Sequence, residues 1–559
     1  MTEIGEKIKN LAIELAKIPS IVGTKGEITI AEKIYEYFRK LDYFRRHPDQ
    51  LRLLPVRGDR LGRQTVAAVI RGGHCAAPRH LLCLGHIDTV GTDDYAELRQ
   101  YATDPEALRA KLPAVKFSEE TLAEITSPEW LLGRGILDMK TGVAALMVMM
   151  EEFSLLAGEL TGNLVFLGVP DEEGNSAGML SAVQDLAEML GDEGGEFIAA
   201  IDTDYTTGRF PGDTGRYVYI GTTGKLLPCF YLYGEETHVG EAFNGLDANL
   251  LASEVLYQMD LSTDLCDIAD GEVTLPPVSL SQRDLKAEYS VQTANAVNLY
   301  FNYATHTSQP DEVLAKCKQK AAKSFENVIK RLNEEYEKYC ALSAIPFRRL
   351  PWEVNVLTYE ELYHNVKREI GGELDRIIEQ LSEKLRAQNV DEREFSLAIV
   401  QEVHSRYSDK NSKIIVYFAP PYYPHIYVKD DDKKGKALLD AVTKAVGDAS
   451  ARYDYDIVTK KFYPYISDLS YCGIADDRSV ARLTGNMPAW GRRYTLPVKA
   501  IQAISMPVVN IGPYGKDAHK LSERVCTRYS FDAMPAILGD TIANLLIDES
   551  GKKSEEEKT

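Results

Sequence analysis

The amino-acid sequence predicts an α/β protein: a mostly parallel sheet with helices on both faces, carrying an inserted α+β domain that has a long helical elaboration. Three observations predict it. Short apolar runs alternate with helical patterns through the N-terminal part of the chain, the pattern of a parallel sheet covered by helices. Near Tyr217 the texture changes to longer strand-like runs separated by charged helical stretches, and near residue 425 the first texture returns. The 559 residues also exceed the roughly 250–300 at which one hydrophobic core stops growing, so more than one domain is expected.

The elements follow in order. Ile4, Ile8, Leu11, Ala12 and Leu15 recur at helical spacing up to Pro19, and a second amphipathic run covers Glu27 to Phe38. Strand-like Thr65–Ile70 and Leu81–Leu84 come next, then helical Gly142–Leu156, strand-like Leu164–Val169, helical Gly178–Leu190 and strand-like Phe197–Ile201. In the insert, Lys225–Tyr233 and Ala296–Asn302 read as strands, with helices over Ala248–Met259 and Asp311–Leu332. A charged helical region then runs from Asn333 to about Tyr407. Lys413–Phe418 is strand-like, Ala437–Val446 helical, Pro507–Ile511 a buried strand and Phe531–Leu546 a final helix. The predicted division is residues 1–216 and 425–559 for one domain and 217–424 for the insert, with its helical elaboration at about 305–410.

Composition narrows the partners. A net charge of −20 argues against nucleic acid, whose binders need a basic face to displace counterions. The eight cysteines, Cys75 among them, are scattered with no C-x-x-C pair, as in reduced cytoplasmic proteins. No stretch is apolar enough for a membrane span and the N-terminus lacks a signal-peptide pattern, so a cytoplasmic protein is expected. Only the polar tail Gly551 to Thr559 reads as disordered.

The chemistry lies in where acids and histidines fall, because each candidate sits at or just after the C-terminal end of a strand-like run, where open α/β sheets bind ligands. The segments are Gly85-His86-Ile87-Asp88, Gly133-Arg134-Gly135-Ile136-Leu137-Asp138-Met139-Lys140-Thr141-Gly142, Pro170-Asp171-Glu172-Glu173-Gly174, Asp202-Thr203-Asp204, and Gly512 to His519. On an extended chain the H-x-D spacing puts His86 and Asp88 on one face, where Asp88 can hydrogen-bond the histidine and fix its tautomer. Three consecutive acids at a buried strand end repel one another unless cations neutralise them. Two histidines with three or four carboxylates form a nitrogen/oxygen set suited to zinc, manganese or cobalt. One ion does not need them all; two ions about 3.5–4 Å apart, sharing a bridging aspartate, do. In a Glu-Glu pair one carboxylate can bind metal while its neighbour stays free as general base.

In order along the chain, His86-Ile87-Asp88-Thr89, Gly133-Arg134-Gly135 with Asp138-Met139-Lys140, Asp171-Glu172-Glu173-Gly174 and the glycine-rich approach to Ala518-His519 resemble the signatures of a family. It is the co-catalytic zinc metallopeptidase family that includes acetylornithine deacetylase, succinyl-diaminopimelate desuccinylase and glutamate carboxypeptidase. Within it, the long insert with Tyr219 to Lys225 and Thr237-His238-Val239-Gly240 is similar to the arginine-utilisation proteins of the RocB type. The resemblance implies a zinc-peptidase-like fold with a lid and dimerisation domain. It also implies two divalent metal ions, zinc first with cobalt or manganese as substitutes, and a small amino-acid-derived substrate whose amide bond is hydrolysed in arginine or ornithine catabolism.

Carried over by residue, it makes His86 a ligand of one metal, Asp138 the bridge, Glu173 and His519 ligands of the other, Glu172 the general base and Asp88 the residue that orients His86. The acid after the next strand is Asp202 or Asp204, and the Tyr-Thr that follows favours Asp204. His238 resembles the histidine that polarises the scissile carbonyl, often across a homodimer, and Asn295 an asparagine that binds substrate. The Asp138–Met139 peptide resembles a position that is cis in the family. Two departures stand out: Asn298 replaces a proline after Asn295, and Tyr463 to Ser470 replaces a Gly-Gly-Thr-Asp turn that helps hold the substrate carboxylate. These departures leave open the alternative of a metal-containing binding or regulatory protein that does not catalyse hydrolysis.

Overall fold

The computed structural model describes residues 1–73, 78–474 and 477–548; Cys75 and the tail 551–559 lie outside the described residues. The chain divides into two compact units, one of Met1–Thr222, Ile426–Ile474 and Pro497–Thr559, the other of Thr223–His425 and Ala475–Leu496. Sequence texture assigned Tyr217–Ile220 to the insert and residues 475–496 to the first domain, whereas contacts group them the other way. The strand Arg216–Ile220 hydrogen-bonds into the large sheet, so backbone pairing decides its place rather than its tyrosine-rich composition.

The first unit is built on an eight-stranded sheet in the order Leu51–Pro55, Gln64–Ile70, Asn163–Val169, Arg79–His86, Glu196–Asp202, Val508–Asn510, Arg216–Ile220, Ile457–Lys460. Its four central strands, from Asn163–Val169 to Val508–Asn510, are mutually parallel. Antiparallel pairing enters through Gln64–Ile70 on one side and Arg216–Ile220 on the other. The central strands are mostly apolar and buried because they are covered twice. Along Arg79–His86, Leu81 and Cys83 join the core made with helices Glu3–Ala16, Gly26–Arg39, Thr141–Leu155, Lys433–Tyr453 and Met534–Leu546. The alternate residues Leu82 and Leu84 are equally buried and fall outside that core, on the side of helix Ala177–Glu193, as the two-residue period of a strand requires. Thr141–Leu155 is buried on nearly every face, which explains its all-apolar sequence, TGVAALMVMM, ahead of two glutamates.

The register aligns the functional ends. His86 pairs with Val169, Leu84 with Asp202, and Asn510 with Asp202, so the segments that follow leave the sheet side by side. Two glycines make this convergence possible. A Cβ on Gly142 would lie 2.0 Å from the Thr203 carbonyl oxygen, and one on Gly512 would lie 1.6 Å from that of Asp204.

The second unit holds a five-stranded sheet in the order Val278–Asp284, Ala296–Thr305, Gly224–Tyr233, Lys413–Tyr423, Val356–Thr358. Helices Ala248–Met259 and Pro310–Leu342 belong to it. The latter starts at a capping box formed by Gln309 and Glu312 and runs ten residues beyond its predicted end at Leu332. The charged region resolves into Tyr359–Ile370, Glu373–Ala387 and Glu392–Arg406, the first opened by a Thr358/Glu361 capping box. Among the described residues no helix is long and apolar enough to cross a membrane, and the seven described cysteines are free.

Candidate metal centre

Five of the segments singled out in the sequence converge at the C-terminal edge of the parallel strands. His86, the last residue of its strand, is 4 % exposed. Its Nε2 lies 2.9 Å from Asp138 Oδ1, and the other carboxylate oxygen of Asp138, Oδ2, lies 3.0 Å from Nε2 of His519. His519 Nε2 is in turn 2.8 Å from Glu173 Oε1. Asp138 thus stands between two histidines with one oxygen toward each. His86, Asp138 and Glu173 offer ligand atoms that all lie within 4.8 Å of one another. The Asp138–Met139 peptide is cis, and His519 sits in the left-handed region at φ 64°.

Asp88 acts differently from expectation. Its carboxylate is 3.7 Å from His86 Nδ1, and that nitrogen instead donates its hydrogen to the Asp88 main-chain oxygen, at 3.1 Å. The carboxylate instead accepts the backbone N–H groups of Glu172 and Glu173, each at 3.1 Å. Fully buried, it anchors the acidic loop. A neutral histidine whose Nδ1–H donates to a main-chain carbonyl has Nε2 free to ligate.

The acidic loop is held from its other side as well. Asp171, at φ 73°, bonds Arg63 Nη1 at 2.5 Å and caps the following helix through the Ala177 N–H. Arg63 also meets Glu27 and Asp59, all four groups being buried or nearly so. Nothing in the sequence flagged Arg63 or Glu27, because Glu27, Arg63 and Asp171 lie far from one another along the chain.

Asp202 and Asp204 separate by environment. Asp202 accepts the Ser467 hydroxyl at 2.7 Å and is engaged there. Asp204 keeps one oxygen on the Tyr205 N–H and faces Asp138. Burial, then Asp138 and Asp202, push its carboxyl well above the usual range. Burial likewise drives the half-buried Glu172 well above its ordinary value; His86 opposes this, and Glu173, Asp468 and Asp204 add to it. Asp138 moves the other way, since burial is outweighed by its bonds to His519 and His86. Burial works against charge on His519, but its bonds to Asp138 and Glu173 carry it to about 10.

Taken together, these shifts describe acids short of positive charge. Among the described residues no lysine or arginine pairs with Asp138, Glu172, Glu173 or Asp204, and two histidines are their only counter-charges. A nitrogen/oxygen donor set with that deficit fits divalent cations.

The departing loop proves aromatic and ordered. Tyr463 donates its hydroxyl to the Tyr205 carbonyl at 2.9 Å, and Tyr465 stacks on Tyr205 with centroids 5.0 Å apart. His238 and Asn295 belong to the second unit, where paired backbone segments bring them to one end of its sheet. Both are exposed; the His238 ring accepts the Gly240 N–H at 3.1 Å, and the Asn295 carbonyl accepts the Gly234 N–H. Asn298, in the proline's place, is buried and accepts the Tyr417 hydroxyl at 3.0 Å.

Comparison with known proteins decides the family. The model of Peptidase family M20/M25/M40 matches residues 82–526, which include every metal-site segment. The chain belongs to this family. Two relatives span nearly the whole chain. Protein RocB of Bacillus subtilis is 32 % identical over 545 residues, 97 % of this chain and 95 % of that protein. YqjN of the same organism is 34 % identical over 554 residues, covering 97 % and 96 %. The fold is also that of the family M20 metallo-carboxypeptidase Sso-CP2 from Sulfolobus solfataricus, at 11 % identity and a TM-score of 0.51 over 98 % of this chain and 100 % of that one. As an M20 protein the chain is a metal-dependent peptidase or amidohydrolase.

Proposed function

We propose that this protein holds two divalent metal ions, zinc in the first instance, and hydrolyses a peptide or N-acyl amide bond of a small amino-acid-derived substrate in arginine or ornithine catabolism. The observation that carries the reading is Asp138, whose two oxygens stand 2.9 and 3.0 Å from two different histidines. His86 and Asp204 would hold one ion and Glu173 and His519 the other, with the Asp138 carboxylate shared between them. The metabolic setting rests on near full-length similarity to RocB.

When bound, the two ions supply Lewis acidity, polarising the scissile carbonyl and making water acidic at neutral pH. The chain's own residues do the rest. Glu172, beside Glu173 but free of its contact with His519, takes the proton of the attacking water and passes it to the leaving amine. A carboxyl raised by burial suits both halves of that transfer better than an ordinary glutamate. Asp88 keeps Glu172 and Glu173 at fixed spacing through their N–H groups. His238 polarises the carbonyl and Asn295 binds the substrate. Tyr465, in the stretch that replaces a small, polar turn, stacks on Tyr205 to form an aromatic wall that narrows the choice of side chain or acyl group.

The test is metal content of the purified protein with hydrolysis of a panel of N-acyl amino acids and dipeptides, arginine and ornithine derivatives included, for wild type and Glu172→Gln. Two metals per chain in both proteins, with turnover only in wild type, is the expected result. Metal without turnover on any substrate refutes the hydrolase reading, and absence of metal refutes the site.

A further inference from the structure

Four residues after His519 lies Glu523, wholly buried and absent from the chemistry described so far. Its Oε1 accepts the backbone N–H groups of Leu137 at 3.2 Å and Asp138 at 3.4 Å. Its Oε2 pairs with Arg134 Nη1 at 2.7 Å. Arg134, 2 % exposed, completes its fork on Asp94 at 2.7 Å and on the Gly91 carbonyl at 3.1 Å, and its guanidinium lies over the Tyr95 ring. The Glu523 main chain joins in: its carbonyl accepts the Gly133 N–H, and the next residue, Arg524, pairs with Leu132.

A buried ion pair alone is weak evidence of a stabilising role, because desolvation offsets the attraction. The placement of this one is more informative. The direction of the Asp138 side chain follows from the backbone at Leu137 and Asp138, and one carboxylate oxygen holds both of those N–H groups. The same residue closes the turn that follows His519, its N–H bonding the Lys520 carbonyl. Two segments that approach the centre from distant parts of the sequence, one carrying Asp138 and the other His519, therefore meet at one side chain.

We infer that Glu523, held by Arg134, is a positioning residue that sets the spacing between Asp138 and His519 and thereby the affinity of the metal position that Asp138, Glu173 and His519 would hold. The inference rests on the two-metal reading above. Partners of metal ligands typically change metal affinity about 10–100-fold when removed, without themselves touching the ion.

The experiment is a cobalt(II) titration of metal-stripped full-length protein, followed by the visible d–d absorption and by elemental analysis. It compares wild type, Glu523→Ala, Glu523→Asp and Ile537→Ala. Ile537 is a fully buried core residue of the C-terminal helix, so its truncation lowers stability away from the cluster. Glu523→Asp keeps the charge but withdraws it by one methylene, so that it no longer spans Arg134 and both N–H groups. Expected are two ions in wild type and, in both Glu523 variants with wild-type circular dichroism, one ion weakened about 10–100-fold with an altered spectrum. Ile537→Ala should keep affinity and spectrum while losing melting temperature. If Glu523→Ala does not fold, Glu523→Asp decides alone. A folded Glu523 variant with wild-type affinity and spectrum overturns the inference, as does equal loss of metal in Ile537→Ala. A wild type that never takes up two ions overturns the metal reading instead.

Discussion

Asp88 governs Glu172 through the backbone: its buried carboxylate accepts the N–H of Glu172 at 3.1 Å and that of Glu173 at the same distance. One group thus fixes both the proposed base and the proposed metal ligand beside it, while the His86 ring is steadied by the Asp88 main-chain oxygen. Asp88→Asn can accept only one of the two N–H bonds and presents a donor to the other. The expected outcome is kcat lowered about 10–100-fold with metal content retained. Steady-state kinetics with elemental analysis checks this, and parallel loss of both metals would show that Asp88 serves ligand binding instead.

Asp138→Asn has a different signature. The amide is neutral and offers one oxygen, so it cannot face both histidines as an acceptor at 2.9 and 3.0 Å. Fewer than two metals per chain and activity reduced at least about 1,000-fold are expected, in line with removal of charge stabilisation at a reacting centre. Two tightly held metals in this variant would exclude Asp138 as the bridge.

Much of this arrangement is legible in the sequence because the centre of the sheet is parallel. Its four central strands end on the same edge, so acids and histidines that follow apolar runs are gathered by topology alone, as His86, Glu173, Asp204 and His519 show. What is not legible is the scaffold that joins them. Arg134 and Asp171 lie in the motifs, but the pairing of Arg134 with Glu523, and of Arg63 with Glu27 and Asp171, joins residues far apart in the chain. Composition likewise misplaced Tyr217 to Ile220, since tyrosines suit either sheet and only hydrogen bonding chooses. The Asp88 carboxylate shows the same limit at short range: spacing places it beside His86, but the loop carrying Glu172 competes for it and wins.

Gly512→Ala tests the close packing that brings the His519 segment past Asp204. A methyl group there would meet the Asp204 carbonyl oxygen at 1.6 Å, far inside contact distance, and that oxygen also accepts the Asn510 side-chain N–H at 2.8 Å. Backbone on both sides leaves no flexible group to yield. A loss of at least about 1–3 kcal/mol is expected in denaturant unfolding, with reduced metal retention because Asp204 itself must shift. Unchanged stability and metal content would mean that the Gly512 segment relaxes freely.

His404 makes a pH prediction in the second unit, away from any ligand. Its ring is buried against Tyr233 and Tyr231, with centroids 4.5 and 5.5 Å away. Burial first, and then the cations Lys413 and Lys410, press its pKa from 6.5 down to about 4, with Asp409 opposing weakly. The folded chain therefore refuses a proton that the unfolded chain accepts between pH 6.5 and 4. The contribution is fully present above pH 6.5 and is lost as the pH falls toward 4. His404→Phe keeps an aromatic ring in the same place and removes the titration. Between pH 7 and pH 5 wild type should lose about 1–2 kcal/mol more stability than this variant, a difference that cancels the carboxylates titrating in both proteins. Denaturant unfolding of the pair at the two pH values measures it, and equal acid sensitivity would show that His404 takes up its proton without cost to the fold.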